Sequence, residues 1–428
     1  MAVTPAIRTA EIIAVGSELL ARQRIDTNSL FLAERLLELG IELRRKHVVG
    51  DHPAELRDTI ADAIARVDLV ITTGGLGPTD DDLTREAVAA VLGRRLAVDP
   101  EVLAIVAARF ERRGVPMPSV NRRQAEVIEG ARWLPNPNGT APGQVVDTGD
   151  RLIVLLPGPP REMQPMFLAS VVPVLAARAS GRQVRRRTVR TTGFSESQVE
   201  EIAQPIYSRF AAGVVPIDTT VLASPGLVEL HLSGAAEDVD ALEGVLDRAS
   251  AELVAALGDA VFTTDERSLE EVVGAELAAR QLMIAAAESC TGGLLLQRLT
   301  DIPGSSAWVL GGVVAYANAV KVEALGVGED TLAAHGAVSE AVARAMAEGV
   351  RRRLGADVGV GITGVAGPGG GSDEKPVGTV WIAVAAGDTH ARRFLFPGDR
   401  QMIRQFAASA ALNMVRRAIG AKVPAPDR

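Results

Sequence analysis

Short apolar runs alternate with amphipathic segments along the first 170 residues of the chain, and this pattern limits the fold more than any other feature. The clearest runs, each with the length of a buried strand, are residues 11–15, 69–73 and 152–156. Between the first two, Leu30, Ala33 and Leu37 recur at helical spacing after a Thr-Asn-Ser start, and Gly40 ends the segment. Strands that alternate with helices predict a doubly wound α/β domain.

Changes of pattern near residues 171 and 266 predict three domains in the 428-residue chain. Residues 1–170 form the doubly wound domain, residues 171–265 a small α+β module, and residues 266–428 a second α/β domain. The predicted elements of the module are helices at 196–210 and 238–257, a strand at 226–233 and a linker at 258–267. Those of the last domain are strands at 282–287, 309–315, 356–362 and 377–385 and a helix at 338–354.

Charge and composition exclude several classes of function. The net charge is −8 and the aromatic residues are 9 Phe, 3 Trp and 2 Tyr, so basic surface and stacking rings for nucleic acid are scarce. Cys290 is the single cysteine, which rules out a disulfide framework and a multi-cysteine zinc site. No apolar run approaches the ~18 residues of a membrane span, and no secretion signal is visible. We therefore expect a cytoplasmic protein without a nucleic-acid or membrane partner.

One group of arginines departs from the acidic balance. Its members are Arg178, Arg182, Arg185, Arg186, Arg187 and Arg190. They form either a solvated strand face or a surface for an anionic partner, and the sequence leaves both open.

The first candidate for chemistry follows the apolar run 282–287. The motif Glu-Ser-Cys-Thr-Gly-Gly starts at Glu288, where a strand should turn into a helix. Such a turn exposes backbone N–H groups that favour anions and oxyanions, and the Ser289 hydroxyl could act there as a nucleophile beside a base. The alternative is that Ser289 or Thr291 only caps the helix.

Lys321 is the candidate base. Only four of the 45 basic residues are lysines, and a lysine can give up its proton whereas an arginine cannot. Lys321 follows the apolar strand 309–315, so it should reach the same sheet edge as Ser289. A buried lysine with a lowered pKa can deprotonate a serine. Cys290 is the rival nucleophile, but no histidine lies in a comparable motif to activate it.

A glycine-rich loop supplies a candidate anion site. Residues 363–371 hold five glycines directly after a strand, so backbone N–H groups can approach an anion closely. Lys375 and Arg400 are further cations for a phosphate. The loop could instead be a flexible connection.

The N-terminal domain has its own cluster at residues 72–84. A strand end is followed by Gly74, Gly75, Gly77, the Asp80-Asp81-Asp82 run and Thr84. Glycine amides and carboxylates suit a phosphorylated ligand with a hard metal ion. The alternative is a helix N-terminus with favourably placed acidic residues. The Pro-rich turn at 156–163 follows another strand and should form the rim of the same crevice.

Several long motifs, in order, make the chain resemble the CinA (competence/damage-inducible) family over nearly its whole length. The motifs are AESCTGG at 287–293, GGVVAYANAVK at 311–321, HGAVSE at 335–340, TGVAGPGGG at 363–371, KPVGTVW at 375–381, TTGGLGPTDDDLT at 72–84 and LPGPPREM at 156–163.

This resemblance implies a function for each domain. The first resembles the MogA/MoaB-like molybdopterin-binding domain, which in this family is associated with metal-dependent ADP-ribose pyrophosphatase activity. The second is similar to a KH-type module, but it has no Gly-x-x-Gly loop between basic residues, so RNA binding does not carry over. The third resembles nicotinamide mononucleotide (NMN) deamidase, an α/β amidohydrolase that converts NMN to nicotinate mononucleotide and ammonia.

The resemblance also assigns residues, with Ser289 as nucleophile and Lys321 as base. Ser306, Tyr316, Thr363 and Arg400 fall on substrate-contacting positions; with the motif residues, the expected substrate site also includes Thr291, Gly292, Asn318, Gly364, Gly367, Gly370 and Lys375. The expected N-terminal site consists of Gly74, Gly75, Gly77, Asp51 and Thr84, with Asp81 and Asp82 for the metal. Ser17 stands where the family usually has a carboxylate, which weakens the N-terminal assignment.

The expected cofactors and partners follow. The amidase needs no cofactor, and the N-terminal domain takes a divalent ion of the Mg²⁺ or Co²⁺ type, with K⁺ as a candidate second ion. The expected ligands are NMN and ADP-ribose, and the expected assembly is a homodimer. Two alternatives remain open: a non-enzymatic, competence-associated interaction protein, and a pterin as the N-terminal ligand.

Overall fold

The computed structural model describes residues 5–21, 24–178 and 181–420. The chain divides into two compact units. The first contains the residues up to Val184 together with Ala235–Val239, and the second contains Arg185–Gly234 and the residues from Asp240 onwards.

The first unit contains the predicted α/β domain. Its strands are β1 Thr9–Val15, β2 Glu42–Val49, β3 Leu69–Thr73, β4 Leu96–Val98, β5 Glu126–Ile128, β6 Ala131–Leu134, β7 Gly143–Asp147 and β8 Leu152–Leu156. Its helices are α1 Ser17–Leu20, α2 Asn28–Glu38, α3 Pro53–Arg66, α4 Thr84–Leu92, α5 Pro100–Glu111, α6 Pro160–Met166 and α7 Val172–Ala177.

The main sheet confirms the predicted parallel arrangement and adds an antiparallel edge. The strand order is β2-β1-β3-β8-β7-β6, and the first four strands are parallel. β7 and β6 run antiparallel to their neighbours. The interpretation of α2 was wrong in one respect: Leu30 is exposed, whereas Leu32 and Leu36 are buried, because the helix turns a different face to the core.

Helices cover both faces of this sheet. Ile12 packs with α2 and α6 in one core, whereas its neighbour Ile13 packs with α3 and α4 in another. Adjacent strand residues point to opposite faces, so two separate cores require a sheet that is buried on both sides. Polar ligands can therefore reach this sheet only at the strand ends.

The second unit begins with most of a small α+β module, as predicted; the ends of some of its elements, at Gln183, Val184 and Ala235–Val239, are counted in the first unit. Its elements are β9 Gln183–Thr192, α8 Glu196–Ala211, β10 Asp218–Ser224, β11 Leu227–Ala236, α9 Val239–Leu257 and β12 Val261–Thr263. The sheet order β10-β11-β9-β12 is the split β-α-β pattern of ferredoxin-like modules, which describes it more closely than the KH-type resemblance does.

Two expectations for this module change. The segment 258–267 is not a linker, because it contains β12, which pairs with β9, and Phe262, which is buried in the core of the last domain. Three arginines of β9 have carboxylate partners: Arg185 pairs with Glu243 at 2.9 Å, Arg187 pairs with Asp247 at 2.8 Å, and Arg190 lies 3.3 Å from Glu266. Paired arginines favour the solvated strand face over a surface for an anionic partner.

The rest of the second unit forms the second predicted α/β domain. Its strands are β13 Ile284–Glu288, β14 Val309–Val314, β15 Val358–Gly364, β16 Thr379–Ala386 and β17 Asp388–Leu395. Its helices are α10 Leu269–Ala279, α11 Leu294–Thr300, α12 Asn318–Leu325, α13 Glu329–His335, α14 Glu340–Leu354 and α15 Arg400–Ala418. Ser339 caps α14, as predicted, by accepting a hydrogen bond from the Val342 N–H.

The sheet of this domain has the order β14-β13-β15-β16-β17. β13 is parallel to both β14 and β15, and β16 and β17 are antiparallel additions. One face packs on α10, α11 and α15, and the other on α12 and α14. The carboxyl ends of β13, β14 and β15 therefore open at one edge, where Ser289 and Thr363 lie. None of the helices in the described ranges is both long and apolar enough to cross a membrane.

Candidate active sites

Ser289 and Lys321 meet at the carboxyl ends of β13 and β14. The strand pairing continues past the last residue of β13, because the Ser289 N–H donates to the Ile362 carbonyl at 2.9 Å and the Ala315 N–H donates to the Glu288 carbonyl at 2.8 Å. Lys321 comes from the first turns of α12, and its Nζ lies 3.3 Å from the Ser289 Oγ. Both side chains are buried, with 8% and 1% of their surface exposed.

The environment of Lys321 favours a neutral amine. Nζ donates hydrogen bonds to the Ala315 carbonyl at 2.8 Å and to the Tyr316 carbonyl at 3.2 Å. Burial lowers the pKa of the Lys321 amine, and the opposing influence of Cys290 is smaller. Nζ also lies within donor distance of the Ser289 Oγ; when the amine is neutral it has two hydrogens, so the two carbonyls can use both and the lone pair can accept from the Ser289 hydroxyl.

Glu288 organises the turn that carries Ser289. Its carboxylate is fully buried and accepts hydrogen bonds from the N–H groups of Gly293, Leu295 and Leu296, so it caps α11. Because Glu288 caps α11, Ser289 is not needed as the cap of this helix, which was the alternative role that the sequence left open. The role of Glu288 was missed, because the sequence motif gives no sign of where its carboxylate points.

Cys290 follows Ser289 in this turn and is buried. Burial raises the pKa of its thiol to about 12. The nucleophile in such chemistry is the thiolate, so a protonated thiol is a poor candidate.

A cavity of about 240 Å³ surrounds these groups. Of the predicted site residues, the lining includes Ser289, Lys321, Tyr316, Asn318, Thr363, Gly364 and Arg400. Arg400 donates to the Gly367 carbonyl at 2.8 Å and to the Tyr316 hydroxyl at 2.9 Å. No carboxylate of the described residues pairs with it, so its positive charge remains available at the cavity. Ala337 and Val338 of the HGAVSE motif also line the cavity, although neither was predicted as a site residue.

The other predicted residues of this site lie outside the cavity lining. Ser306 precedes β14 and so lies at the amino end of that strand, whereas Ser289 follows the carboxyl end of its parallel neighbour. Thr291 is fully buried, and Lys375 donates its amine hydrogen to the His335 carbonyl at 2.9 Å. Gly292, Gly367 and Gly370 all have positive φ and shape the two loops.

A larger cavity of about 950 Å³ lies in the first unit, at the carboxyl ends of β1, β3 and β8. Its lining includes Gly74, Gly75, Gly77, Asp51, Asp81 and Asp82, and also the Pro-rich turn at 157–160. Carboxyl ends of parallel strands are where doubly wound sheets bind ligands. Asn28, which the sequence suggested only as a helix cap, also lines this cavity, and its buried Oδ1 has no partner.

Two buried side chains of α4 hold the glycine turn of this cavity by hydrogen bonds to its carbonyls. Gly74 and Gly75 have φ values of 97° and 65°, which other residues rarely adopt. Thr84 is buried and donates its hydroxyl hydrogen to the Gly74 carbonyl at 2.8 Å, so it holds the turn and does not line the cavity. Arg85, which the sequence did not single out, is also buried and donates to the carbonyls of Leu76 and Gly77.

The carboxylates of this cavity fit only part of the expected metal site. Asp82 accepts hydrogen bonds from the N–H groups of Gly77 and Thr79 at 2.8 and 2.9 Å, so both of its oxygens hold the loop. Asp51 accepts from the Ser17 N–H at 2.9 Å. Asp81 is exposed, and no group of three or more metal-ligating side chains occurs among the described residues. Mg²⁺ binds through one or two carboxylates plus substrate phosphates, so these residues suit an ion that arrives with a ligand.

Each of the two α/β domains matches a known protein family. Residues 266–419 match the family model described as the CinA C-terminal domain, and residues 11–177 match the probable molybdopterin-binding domain. A CinA-like protein from Koribacter versatilis is 47% identical over 95% of this chain and 99% of the relative. A putative competence-damage inducible protein from Symbiobacterium thermophilum is 46% identical over 95% and 98%.

A solved structure of a competence/damage inducible protein from Agrobacterium tumefaciens is 42% identical, with a TM-score of 0.34, over 35% of this chain and 94% of that one. The molecule is thus an α/β protein that joins a molybdopterin-binding-type domain to a CinA-type domain. The chain belongs to the CinA family, as the full-length relatives show.

Proposed function

We propose that the second unit hydrolyses the carboxamide of nicotinamide mononucleotide and releases nicotinate mononucleotide and ammonia. The observation that carries this proposal is the buried Lys321 amine, which is held by two carbonyls with Nζ 3.3 Å from the Ser289 Oγ. A serine with a neutral lysine beside it is suited to acyl transfer. Ser289 is the proposed nucleophile and Lys321 the proposed general base.

The first half-reaction transfers the acyl group to the enzyme. Lys321 Nζ takes the hydroxyl proton as Ser289 Oγ forms a bond to the carboxamide carbon. The tetrahedral intermediate then breaks its C–N bond, and Lys321 returns the proton to the leaving nitrogen, which departs as ammonia. The backbone N–H groups of Cys290 and Thr291 donate to no other described residue, so they are candidates to stabilise the oxyanion.

The second half-reaction consumes water. Lys321 takes a proton from the water as its oxygen attacks the ester carbon. The bond between that carbon and Ser289 Oγ breaks, and the proton returns to the serine. The net change is one amide and one water converted to one acid and one ammonia, and no cofactor is needed.

The substrate is inferred from two groups of residues that line the cavity. Ser289 and Lys321 form the first group, beside which an amide must be placed. Arg400, without a carboxylate partner, lies at the cavity beside Tyr316 and the glycine loop, where a phosphate would be attracted. An amide and a phosphate on one small molecule match NMN. Lys375, Gly367 and Gly370 remain proposed only as supports of the phosphate loop.

Incubation of the purified full chain with NMN tests this proposal. We expect equal amounts of ammonia and nicotinate mononucleotide, and almost none from Ser289→Ala. Absence of turnover by the folded wild-type chain would instead favour the non-enzymatic, competence-associated role.

A second activity, metal-dependent hydrolysis of ADP-ribose, is proposed for the first unit. It is favoured by the glycine turn and the exposed Asp81 in one cavity at the strand carboxyl ends. Asp81 would help to hold a Mg²⁺ or Co²⁺ ion that is bound to the diphosphate. When bound, such an ion would neutralise part of the phosphate charge. Incubation with ADP-ribose and either ion should release AMP; binding of a pterin without such hydrolysis would support the alternative ligand.

A further inference from the structure

Arg404 lies one turn after Arg400 on α15 and binds the backbone of the nucleophile turn. Its Nε and Nη2 donate to the Thr291 carbonyl at 3.1 and 2.7 Å. None of the described carboxylates forms an ion pair with Arg404. The two arginines therefore have different contacts: Arg400 reaches the glycine loop and Tyr316, whereas Arg404 reaches the turn that follows Ser289.

Other hydrogen bonds also hold this turn: the Glu288 carboxylate accepts from the Gly293 N–H at 3.0 Å, and the Thr291 carbonyl accepts from the Leu294 N–H at 3.3 Å. Gly292 and Gly293 have φ values of 61° and 94°, and the hydroxyl of the fully buried Thr291 has no partner among the described residues. The Gly292 N–H donates to the Ser289 carbonyl at 3.1 Å, which closes the turn on itself. Two donors from Arg404 on one carbonyl thus tie the turn to α15, and a planar guanidinium fixes direction better than a single amine.

We propose that Arg404 is a positioning residue for the amidase reaction: it holds the Thr291 carbonyl so that the Cys290 and Thr291 N–H groups face the oxyanion. The inference rests on the proposed function for its substrate. The competing role is that Arg404 binds the substrate phosphate, as proposed for Arg400. The two roles differ in which step of catalysis they affect.

Kinetics on two substrates separates these roles. NMN carries the phosphate, and nicotinamide riboside has the same carboxamide without it. We expect Arg404→Ala to lower kcat at least ~10-fold, because misplacement of reacting groups slows the chemical step. The factor should be the same for both substrates. KM for NMN should change little. Arg400→Ala should instead raise KM for NMN more than KM for nicotinamide riboside, because only NMN carries the phosphate.

A second readout does not depend on the substrate. Phenylmethylsulfonyl fluoride transfers its sulfonyl group to an activated serine and releases fluoride, and peptide mass spectrometry measures the fraction of Ser289 modified. We expect slower modification in Arg404→Ala and a return towards the wild-type rate with added guanidinium ion. Arg352→Ala, an exposed arginine on α14, is the matched control and should retain the wild-type rate.

The outcomes are distinct. A loss confined to KM for NMN, or a wild-type rate of Ser289 modification in folded Arg404→Ala, would overturn the proposal. If the alanine variant does not fold, Arg404→Met keeps a long side chain without any N–H donor, and wild-type kcat in that variant would overturn the proposal equally. If the wild-type chain does not hydrolyse NMN, the proposed substrate fails, while the modification rates still decide the role of Arg404.

Discussion

The Lys321 amine lies 3.3 Å from the Ser289 hydroxyl, although 32 residues separate them in the sequence. The parallel pairing of β13 and β14 creates this contact, because each side chain follows the carboxyl end of its strand. Burial then completes the pair by lowering the pKa of the lysine. The fold thus supplies the proximity, and it shifts the lysine towards the neutral form that the proposed reaction needs.

The first prediction concerns stability against pH. The pKa of Lys321 is lowered from 10.5 in the folded state, so between that lowered pKa and 10.5 the unfolded chain binds more protons. The free energy of unfolding contributed by this group therefore rises with pH across that window and is lost as the pH falls through the folded pKa. Lys321→Met should remove this dependence. Thermal unfolding of both chains from neutral to alkaline pH measures it; parallel profiles would contradict the lowered pKa.

Cys290 provides the second prediction. Because burial raises the pKa of its thiol to about 12, we expect almost no alkylation by iodoacetamide at neutral pH in the folded chain. Cys290→Ala keeps the backbone N–H and should retain NMN hydrolysis, whereas Ser289→Ala should not. The reverse order of activities would identify the thiol as the nucleophile.

The third prediction separates the two aspartates of the N-terminal cavity. Asp81→Asn should raise the Mg²⁺ concentration needed for ADP-ribose hydrolysis, because it removes an exposed carboxylate. Asp82→Asn should reduce activity at every Mg²⁺ concentration, since one amide oxygen cannot accept from Gly77 and Thr79 as two carboxylate oxygens do. Titration of both variants with Mg²⁺ measures the difference. NMN hydrolysis is the control and should stay at the wild-type level in both.

The fourth prediction tests the domain boundary near residue 266. A fragment of residues 268–428 loses Phe262 from its core and leaves the buried Arg416 without the Asp259 and Val261 carbonyls to which it donates. Removing a core Phe costs about 3–5 kcal/mol, so we expect a Tm more than ~5 °C below that of a fragment of residues 181–428. Equal Tm values for the two fragments would show that the last domain folds independently of the module.

The sequence predicted the sheets and the Ser289–Lys321 pair because both depend on local pattern. Apolar runs mark the strands, and residues that follow parallel strands meet at one edge. Ser306 shows the limit: it precedes its strand, so the same topology places it at the opposite end.

Long-range contacts account for the remaining differences. β12 has three residues and no apolar periodicity, so only its pairing with β9 reveals it as a strand. Thr84 and Asp82 were predicted as ligand contacts, but their hydrogen bonds hold the glycine turn. Composition cannot show whether a polar side chain faces the ligand or the backbone that binds it.

The kinetics of Lys321→Arg tests the central claim most directly. If Lys321 is the general base, arginine should lower kcat for NMN by at least ~10²-fold with the fold intact, because a guanidinium keeps its proton. Ser289→Ala should be similarly impaired, and the double variant hardly worse than either, since the two groups act as a unit. Substantial NMN turnover by Lys321→Arg, or fully additive losses in the double variant, would contradict the assignment of this pair.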